Sequence, residues 1–324
     1  MSIGSVTDGL DRARRGVGMG GRGRPSGRGR RPLMGRTGWT LVLFVTPSLL
    51  LIGLINLFPV VYAAFQSLHN GNLNQAGDFV GLENYIGVLV NSTLTPIFWH
   101  AALFTLIFTV TGVFGSWLVG LGVALLLRTK IPANDVFKVL LLLPWIVPIV
   151  VSAFSWNWLV ATPQSPLPFL AAKVGLGNVL FLANPILAQV TVCCFKVWIS
   201  FPFMMMMMRA ALASVDTTLY EAARVDGASS WRVLTDITLP VISRTIYISW
   251  ILMTIFCVND FPTIFLLTGG GPVNATNSLA VLAYTTVFEN FEVGPGVAIA
   301  VLATIVLIII SIILYRQIRR AAMQ

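Results

Sequence analysis

The chain of 324 residues is too apolar for a water-soluble enzyme, because 56% of its residues are hydrophobic and only 10% are charged, against roughly 25% charged residues in an ordinary globular domain. A helix needs about 20 apolar residues to cross ~30 Å of hydrocarbon. Stretches of that length without Lys, Arg, Asp or Glu occur at 37–77, 84–127, 139–172 and 293–315. They predict an integral membrane protein.

The net charge of +9 is concentrated at the N-terminus. Residues 1–38 carry nine arginines against Asp8 and Asp11, which places +7 of the charge there. The segment is dense in glycine and nearly free of large apolar side chains, so it cannot bury enough surface to fold. Gly-Arg runs can attract RNA or anionic lipid. We expect a disordered cytoplasmic extension that helps to hold the N-terminus inside, with membrane lipid rather than nucleic acid as its neighbour.

Six apolar stretches predict an all-α polytopic membrane protein with about six transmembrane helices. In chain order these predicted spans are 39–64, 98–127, 139–160, 185–208, 245–268 and 296–315. Each is close to the length that a helix needs to cross the bilayer. The expected organisation is therefore the basic tail 1–38 followed by a transmembrane domain over 39–320.

The basic residues are distributed asymmetrically between the two sides of a six-span chain. Of the 21 Lys and Arg residues, 19 fall on one side, in the stretches 1–38, 128–138, 209–244 and 316–324. Lys173 lies in a loop on the other side, and Lys196 lies within a span. Cytoplasmic loops carry the excess of Lys and Arg. We therefore expect a multi-pass protein of the cell membrane with both termini in the cytoplasm.

The cysteines and histidines predict neither a disulfide framework nor a metal site. Cys193, Cys194 and Cys257 are odd in number and lie in apolar segments, where cysteine usually acts as a small buried hydrophobe. His69 and His100 have no cysteine or carboxylate at the spacing of metal ligands. We find no catalytic constellation in the sequence.

The long cytoplasmic stretch 209–244 is polar but has helical organisation. Thr218 and Glu221 match a capping box, in which the two side chains satisfy the first free amides of a helix. Gly227 occupies the position where a left-handed residue commonly ends such a helix. We expect a second short helix after it, closed by Pro240.

Within this stretch the residues Glu-Ala-Ala-Arg-Val-Asp-Gly-Ala at 221–228, followed by Leu-Pro at 239–240, resemble the EAA loop of bacterial ABC importer permeases. The residues Asn-Asp-Phe at 259–261 and Thr-Gly-Gly-Gly-Pro at 268–272 resemble the carbohydrate-uptake branch, of the maltose and glycerol-phosphate permease type. The resemblance covers residues 39–320.

The resemblance implies the architecture of a type I ABC importer permease in a bacterial inner membrane. The chain would be a non-catalytic subunit, and its partners would be a second homologous permease, two cytoplasmic ATP-binding subunits and an extracytoplasmic sugar-binding protein that delivers a carbohydrate substrate. ATP and Mg would bind the ATPase, with no cofactor on this chain, which lacks a Gly-x-x-x-x-Gly-Lys-Ser/Thr phosphate loop. The implied coupling residues are Glu221, Ala222, Ala223, Asp226, Gly227 and Ala228.

Polar and aromatic residues at membrane depth form a second candidate site. Ionisable groups in a bilayer usually face a water-filled path or a partner, and aromatic faces with amides and carboxylates suit a sugar ring and its hydroxyls. We expect the substrate path to include Trp156, Asn157, Lys196, Trp198, Asn259 and Asp260. Two alternatives remain: Trp156 and Trp158 could belong to an interfacial aromatic belt, and Lys196 could pair with Asp260 or snorkel to the interface.

Two other classes of function remain open from the sequence. An ion-coupled secondary transporter, in which Lys196 and Asp260 carry protons, would transport alone and would usually contain inverted repeats, for which the sequence offers no convincing match. A membrane-embedded enzyme would need a cluster of His, Asp or Glu at one membrane face, and no such cluster is visible in the sequence.

Overall fold

The computed structural model describes residues 36–72, 75–129 and 134–321, so nearly all of the predicted basic tail lies outside the described residues. The regular elements of the described chain are helical apart from one hairpin. It divides into two units, residues 36–57 and residues 58–321, which are described separately.

The first unit is an apolar helical stretch. It consists of α1 (Arg36–Ile52), which contains Pro47, and a π-helical segment over Gly53–Leu57. Large apolar side chains along it are exposed, from Trp39 to Leu57. Such a surface is what a membrane-spanning helix presents to lipid or to another membrane chain.

The second unit contains the hairpin and the remaining helices. Its first elements are α2 (Phe58–Gln66), β1 (His69–Asn72), β2 (Gln75–Phe79), α3 (Glu83–Ile86) and a π-helical segment over Gly87–Asn91. The two strands are antiparallel, with His69 paired to Phe79 and an irregularity between Asn70 and Asn72.

The helices that follow are α4 (Leu94–Leu126), α5 (Asn134–Ile146), α6 (Ile149–Val160), α7 (Pro166–Lys173), α8 (Pro185–Ala213), α9 (Thr217–Val225), α10 (Ser230–Arg232), α11 (Leu239–Val258), α12 (Pro262–Thr268), α13 (Leu279–Phe288) and α14 (Val293–Ala321). A third π-helical segment, Val233–Thr238, joins α10 to α11.

Five helical stretches of the described chain are long and apolar enough to cross a membrane: Val42–Gln66, Leu94–Leu126, Pro185–Ala213, Ser230–Val258 and Val293–Ile313. A sixth crossing is present if α5 and α6 are counted as one broken span. Each of the six predicted spans overlaps one of these stretches.

The third predicted span, 139–160, is not one straight helix, because α5 and α6 meet at 93°. Pro148 precedes α6 with φ −53° and ψ 134°, outside the helical region. Proline lacks the N–H that a helix needs, and it disfavours helical backbone in the residue before it. Pro148 therefore interrupts a segment that hydropathy alone predicts as continuous.

The fifth predicted span, 245–268, is also divided. α11 ends at Val258 and α12 begins at Pro262, while the helical stretch that contains α11 reaches back to Ser230. The expectation that Pro240 closes a short helix is wrong. Pro240 lies in the first turn of α11, where its missing N–H leaves few helical bonds unmade.

The core of the second unit forms where α4 and α8 pack along each other. Glycines on α4 permit this close approach: a Cβ added at Gly115 would lie 2.6 Å from Val197, and one at Gly120 would lie 2.7 Å from Met204. Phe104, Phe108, Phe195, Met204 and Met253 are almost fully buried around this contact. The packed pair gives the functional elements a rigid base.

Candidate functional site

The helix α9 carries the predicted coupling residues, and a carboxylate begins it. The side chain of Asp216 accepts the backbone N–H of Thr218 at 2.9 Å, so Asp216 is the N-cap. The predicted capping box of Thr218 and Glu221 is therefore wrong. Because that backbone hydrogen bond stabilises the ionised carboxylate, the pKa of Asp216 lies below its ordinary value of 3.8.

The other end of α9 is closed at Gly227, as predicted. Gly227 has φ +71°, in the left-handed region. The N–H of Ala228 donates to the carbonyl of Ala223 at 2.9 Å, and the N–H of Gly227 donates to the carbonyl of Arg224 at 3.1 Å. These two bonds form a Schellman motif, which satisfies the last free carbonyls of the helix. No atom lies within 4 Å of the position that a Cβ on Gly227 would take.

α9 has an inward and an outward face. Ala223 is 5% exposed, and Tyr220 packs against an apolar cluster formed by the ends of α4, α8 and α11. Residues three apart share one face of a helix, so Tyr220 and Ala223 define the inward face. Four predicted coupling residues are exposed, namely Glu221, Ala222, Asp226 and Gly227. Ala228 is half-buried, whereas Ala223 faces the interior of its own chain.

Apolar side chains are exposed on the same element. Val225 is 88% exposed, Trp231 is 71% exposed and Leu219 is 43% exposed. Trp231 also lines a cavity of about 760 Å³, together with Arg128 and Tyr220. Exposed apolar side chains gathered on one small element indicate a contact surface. We call residues 216–231 the coupling element, after the role that the resemblance implies for them.

The second candidate site contains a buried ion pair. Lys196 Nζ on α8 lies 2.5 Å from Asp260 Oδ2, and the two side chains are 7% and 6% exposed. Asp260 also accepts the backbone N–H of Thr263 at 3.0 Å and its hydroxyl at 2.7 Å. The carboxylate thus accepts hydrogen bonds from the first turn of α12 and ties the break between α11 and α12 to α8. This is the pairing that the sequence left as an alternative, and a role in the substrate path stays a prediction.

The structure brings two of the predicted tryptophans together. The ring centroids of Trp156 and Trp198 lie 5.6 Å apart, and Phe195 stacks at 6.0 Å from Trp198. Both tryptophans pack against the core of the second unit and remain half-buried. They therefore form one aromatic platform between α6 and α8.

The two predicted asparagines lie in different surroundings. Asn157 Nδ2 donates to the carbonyl of Leu267 at 3.3 Å, which links α6 to α12. Asn259 is exposed at the end of α11, and its amide donates to the carbonyl of Ile255 at 3.0 Å. Asn259 therefore keeps its amide oxygen available at the break before α12.

Comparison with known proteins decides the family. Residues 116–324 match the family model described as "Binding-protein-dependent transport system inner membrane component". The chain belongs to this family. Three similar relatives are permease proteins of transport systems, and each covers most of the chain.

The first relative is a trehalose/maltose transport system permease protein of Thermococcus litoralis, 32% identical over 86% of this chain and 92% of its own. The second is a trehalose transport system permease protein of Mycobacterium tuberculosis, 33% identical over 80% of this chain and 82% of its own. The third is a sulfoquinovosyl glycerol transport system permease protein of Agrobacterium fabrum, 29% identical over 86% of this chain and 90% of its own.

The fold is similar to that of a chain in a bacterial ABC transporter involved in the import of the acidic polysaccharide alginate. The TM-score is 0.75 at 20% identity, over 88% of this chain and 96% of that chain. The predicted all-α importer-permease fold is confirmed, as is the role of a membrane subunit of an ABC transporter. The alternative of an ion-coupled secondary transporter receives no support from these relatives.

Proposed function

We propose that the chain is the membrane subunit of an ATP-driven sugar importer. A second homologous permease completes the translocation pathway, two cytoplasmic subunits bind ATP and Mg, and an extracytoplasmic binding protein delivers the sugar. The chain itself is not an enzyme and needs no cofactor of its own. The names of the three relatives support a sugar or a sugar derivative as the substrate.

The observation that carries the proposal is the outward face of α9. Hydrogen bonds at Asp216 and Gly227 fix both ends of the helix, so it can move as one rigid body. The small residues Ala222 and Gly227 on this face let another backbone approach closely, while Val225 and, on the neighbouring α10, Trp231 supply apolar contact area. We infer that this face docks on the ATPase.

The orientation follows from the same assignment. If α9 contacts a cytoplasmic ATPase, the helix ends next to it face the cytoplasm, and so do both termini of a six-span chain. The concentration of 19 basic residues on that side supports this arrangement.

The substrate path in this proposal runs past the break between α11 and α12. Asn259 offers its amide there, and the platform of Trp156 and Trp198 offers a face on which a sugar ring can stack. Lys196 and Asp260 act on the path by holding the break in position, because their charges are buried and paired.

Co-purification tests the proposal. The tagged chain, extracted in mild detergent from its own host, should retain an ATPase and a second polytopic permease. Val225→Asp should weaken retention of the ATPase, because it places a charge in the docking face. Val273→Asp is the matched control, since Val273 is 91% exposed and is predicted to lie on the opposite side of the membrane. A chain that retains no ATPase contradicts the proposal.

A further inference from the structure

We propose that Tyr220 is the positioning residue through which α9 moves the transmembrane helices, because it is held between Arg128 at the end of α4 and Thr238 at the base of α11. This inference rests on the proposed function, since it concerns how a force applied to the coupling element reaches the membrane. Tyr220 lies on the inward face of α9, opposite the exposed residues that would meet the ATPase.

The contact with α4 has two components. Arg128 Nη1 donates to the Tyr220 hydroxyl oxygen at 3.2 Å. The guanidinium carbon of Arg128 also lies 4.7 Å from the centroid of the Tyr220 ring, within the range of a cation–π interaction. Arg128 directly follows the last turn of α4, where its N–H donates to the carbonyl of Leu125 at 3.2 Å. A displacement of α9 therefore acts on the end of α4.

The contact with α11 passes through Thr238. The hydroxyl oxygens of Tyr220 and Thr238 are 3.4 Å apart, and Thr238 Oγ1 lies 3.0 Å from the carbonyl oxygen of Val233. A single chain of hydrogen bonds satisfies all of these groups: the guanidinium of Arg128 donates to the hydroxyl of Tyr220, this hydroxyl donates to that of Thr238, and the Thr238 hydroxyl donates to the carbonyl of Val233. Thr238 is 2% exposed and lines the same cavity as Arg128 and Tyr220, so these hydrogen bonds lie along one wall of that cavity.

The π-helical segment before α11 makes this geometry possible. In a π-helix the backbone hydrogen bonds join residues five positions apart. The Thr238 hydroxyl spans the same spacing, because it reaches the carbonyl of Val233 five residues earlier. The same segment leads without a break into α11. Thr238 is therefore part of the base of a transmembrane helix, and Tyr220 is attached to that base.

The hydrogen bonds of Tyr220 fix the direction in which α9 is held, which apolar packing alone does not do. The Tyr220 ring packs on an apolar cluster that includes Leu121, Met205 and Ile242, but apolar contact is non-directional and lets a ring slide. Short turns are the covalent links of α9 to its neighbours, 214–216 before it and 226–229 after it. Without directional bonds, α9 can pivot on these turns instead of pushing α4 and α11.

Tyr220→Phe tests the inference with a minimal change, because it removes the hydroxyl and keeps the ring. The complete complex is reconstituted in proteoliposomes, and the solute transported per ATP hydrolysed is measured. We expect that ratio to fall by roughly three- to tenfold, the factor carried by one hydrogen bond of ordinary net strength. The ATPase should still co-purify. Tyr315→Phe, at an exposed tyrosine on α14, is the matched control and should leave the ratio unchanged.

A double variant distinguishes a loss of coupling between α9 and the transmembrane helices from a general loss of protein stability. If Arg128 and Tyr220 act as one unit, Arg128→Gln combined with Tyr220→Phe should couple no worse than the more damaging single variant. Additive losses overturn the inference. A wild-type ratio in Tyr220→Phe also overturns it, as does loss of the ATPase from that variant. Failure of the proposed function has a different signature, because the unmodified chain would then retain no ATPase.

Discussion

Substitutions at Gly227 can distinguish two effects on transport: backbone strain within the chain, and the size of the side chain at the surface that would contact the ATPase. At φ +71° a residue with a Cβ is expected to cost roughly 1–2 kcal/mol, and asparagine less, because its short polar side chain tolerates the left-handed region. The open space around the Cβ position means that no clash within the chain adds to this cost. Gly227 is exposed and lies outside the buried core formed by α4 and α8, so every variant should still fold and insert.

Replacing Gly227 by Ala, Asn and Leu ranks the variants differently under the two effects. If the surface at Gly227 sits flush against the ATPase, loss of ATPase binding and of transport should follow size, with Ala mild and both Asn and Leu severe. If only strain matters, Ala and Leu should be impaired and Asn close to wild type. We expect the first order, measured by ATPase co-purification and by solute uptake in proteoliposomes. Transport at the wild-type rate by Gly227→Leu would refute the assignment of α9 as the coupling helix.

Three further predictions concern the ion pair, the topology and the N-cap. Asp260→Leu should destabilise the purified complex by about 3–5 kcal/mol, since it leaves the Lys196 charge buried and unpaired, and Lys196→Met in the same chain should restore much of the thermal stability. A double variant no more stable than the single one contradicts this reasoning. In a chain whose native cysteines are replaced, a single Cys at position 273 should react with an impermeant thiol reagent on intact cells, and one at 225 should react only after permeabilisation; the reverse result overturns the orientation. The lowered pKa of Asp216 means that its cap is fully present above 3.8 and is lost as the pH falls through the folded-state pKa. The protection of the backbone amides of residues 217–225 against hydrogen exchange, corrected for the intrinsic exchange rate at each pH, should therefore fall in acid. Asp216→Asn should make this protection independent of pH. An equal loss of protection in acid in the variant would show that another group is responsible.

The membrane-spanning segments and the end of α9 could be predicted from the sequence because each depends on local chemistry. A long charge-free stretch has few alternatives to a span, and a glycine after a short helix favours the left-handed cap seen at Gly227. Pro148 is present in the sequence as a helix-breaking residue, but the average hydropathy of the stretch 139–160 is insensitive to a single proline, so the break is not predicted. The N-cap was misassigned because Asp216 and Thr218 are both good capping residues two positions apart, and the pattern does not choose between them.

The contacts that organise the candidate sites join residues distant in sequence, so the sequence offered the Lys196–Asp260 pair only as an alternative and gave no sign of the contact between Arg128 and Tyr220. Lys196 and Asp260 are 64 residues apart, and their pairing depends on how α8 packs against the break after α11. Arg128 and Tyr220 are 92 residues apart, and neither stands out in its local sequence. Ala223 matches the resemblance as a coupling residue, yet only the packing of α9 shows that it faces inward.

Sugar uptake into proteoliposomes tests the central claim most directly. The complete complex is reconstituted with ATP on the side of α9 and with the sugar-loaded binding protein on the other side. The account predicts uptake that requires both ATP hydrolysis and the binding protein, and no uptake by this chain alone under a proton gradient. Uptake by the chain alone, driven by an ion gradient and indifferent to ATP, would contradict it.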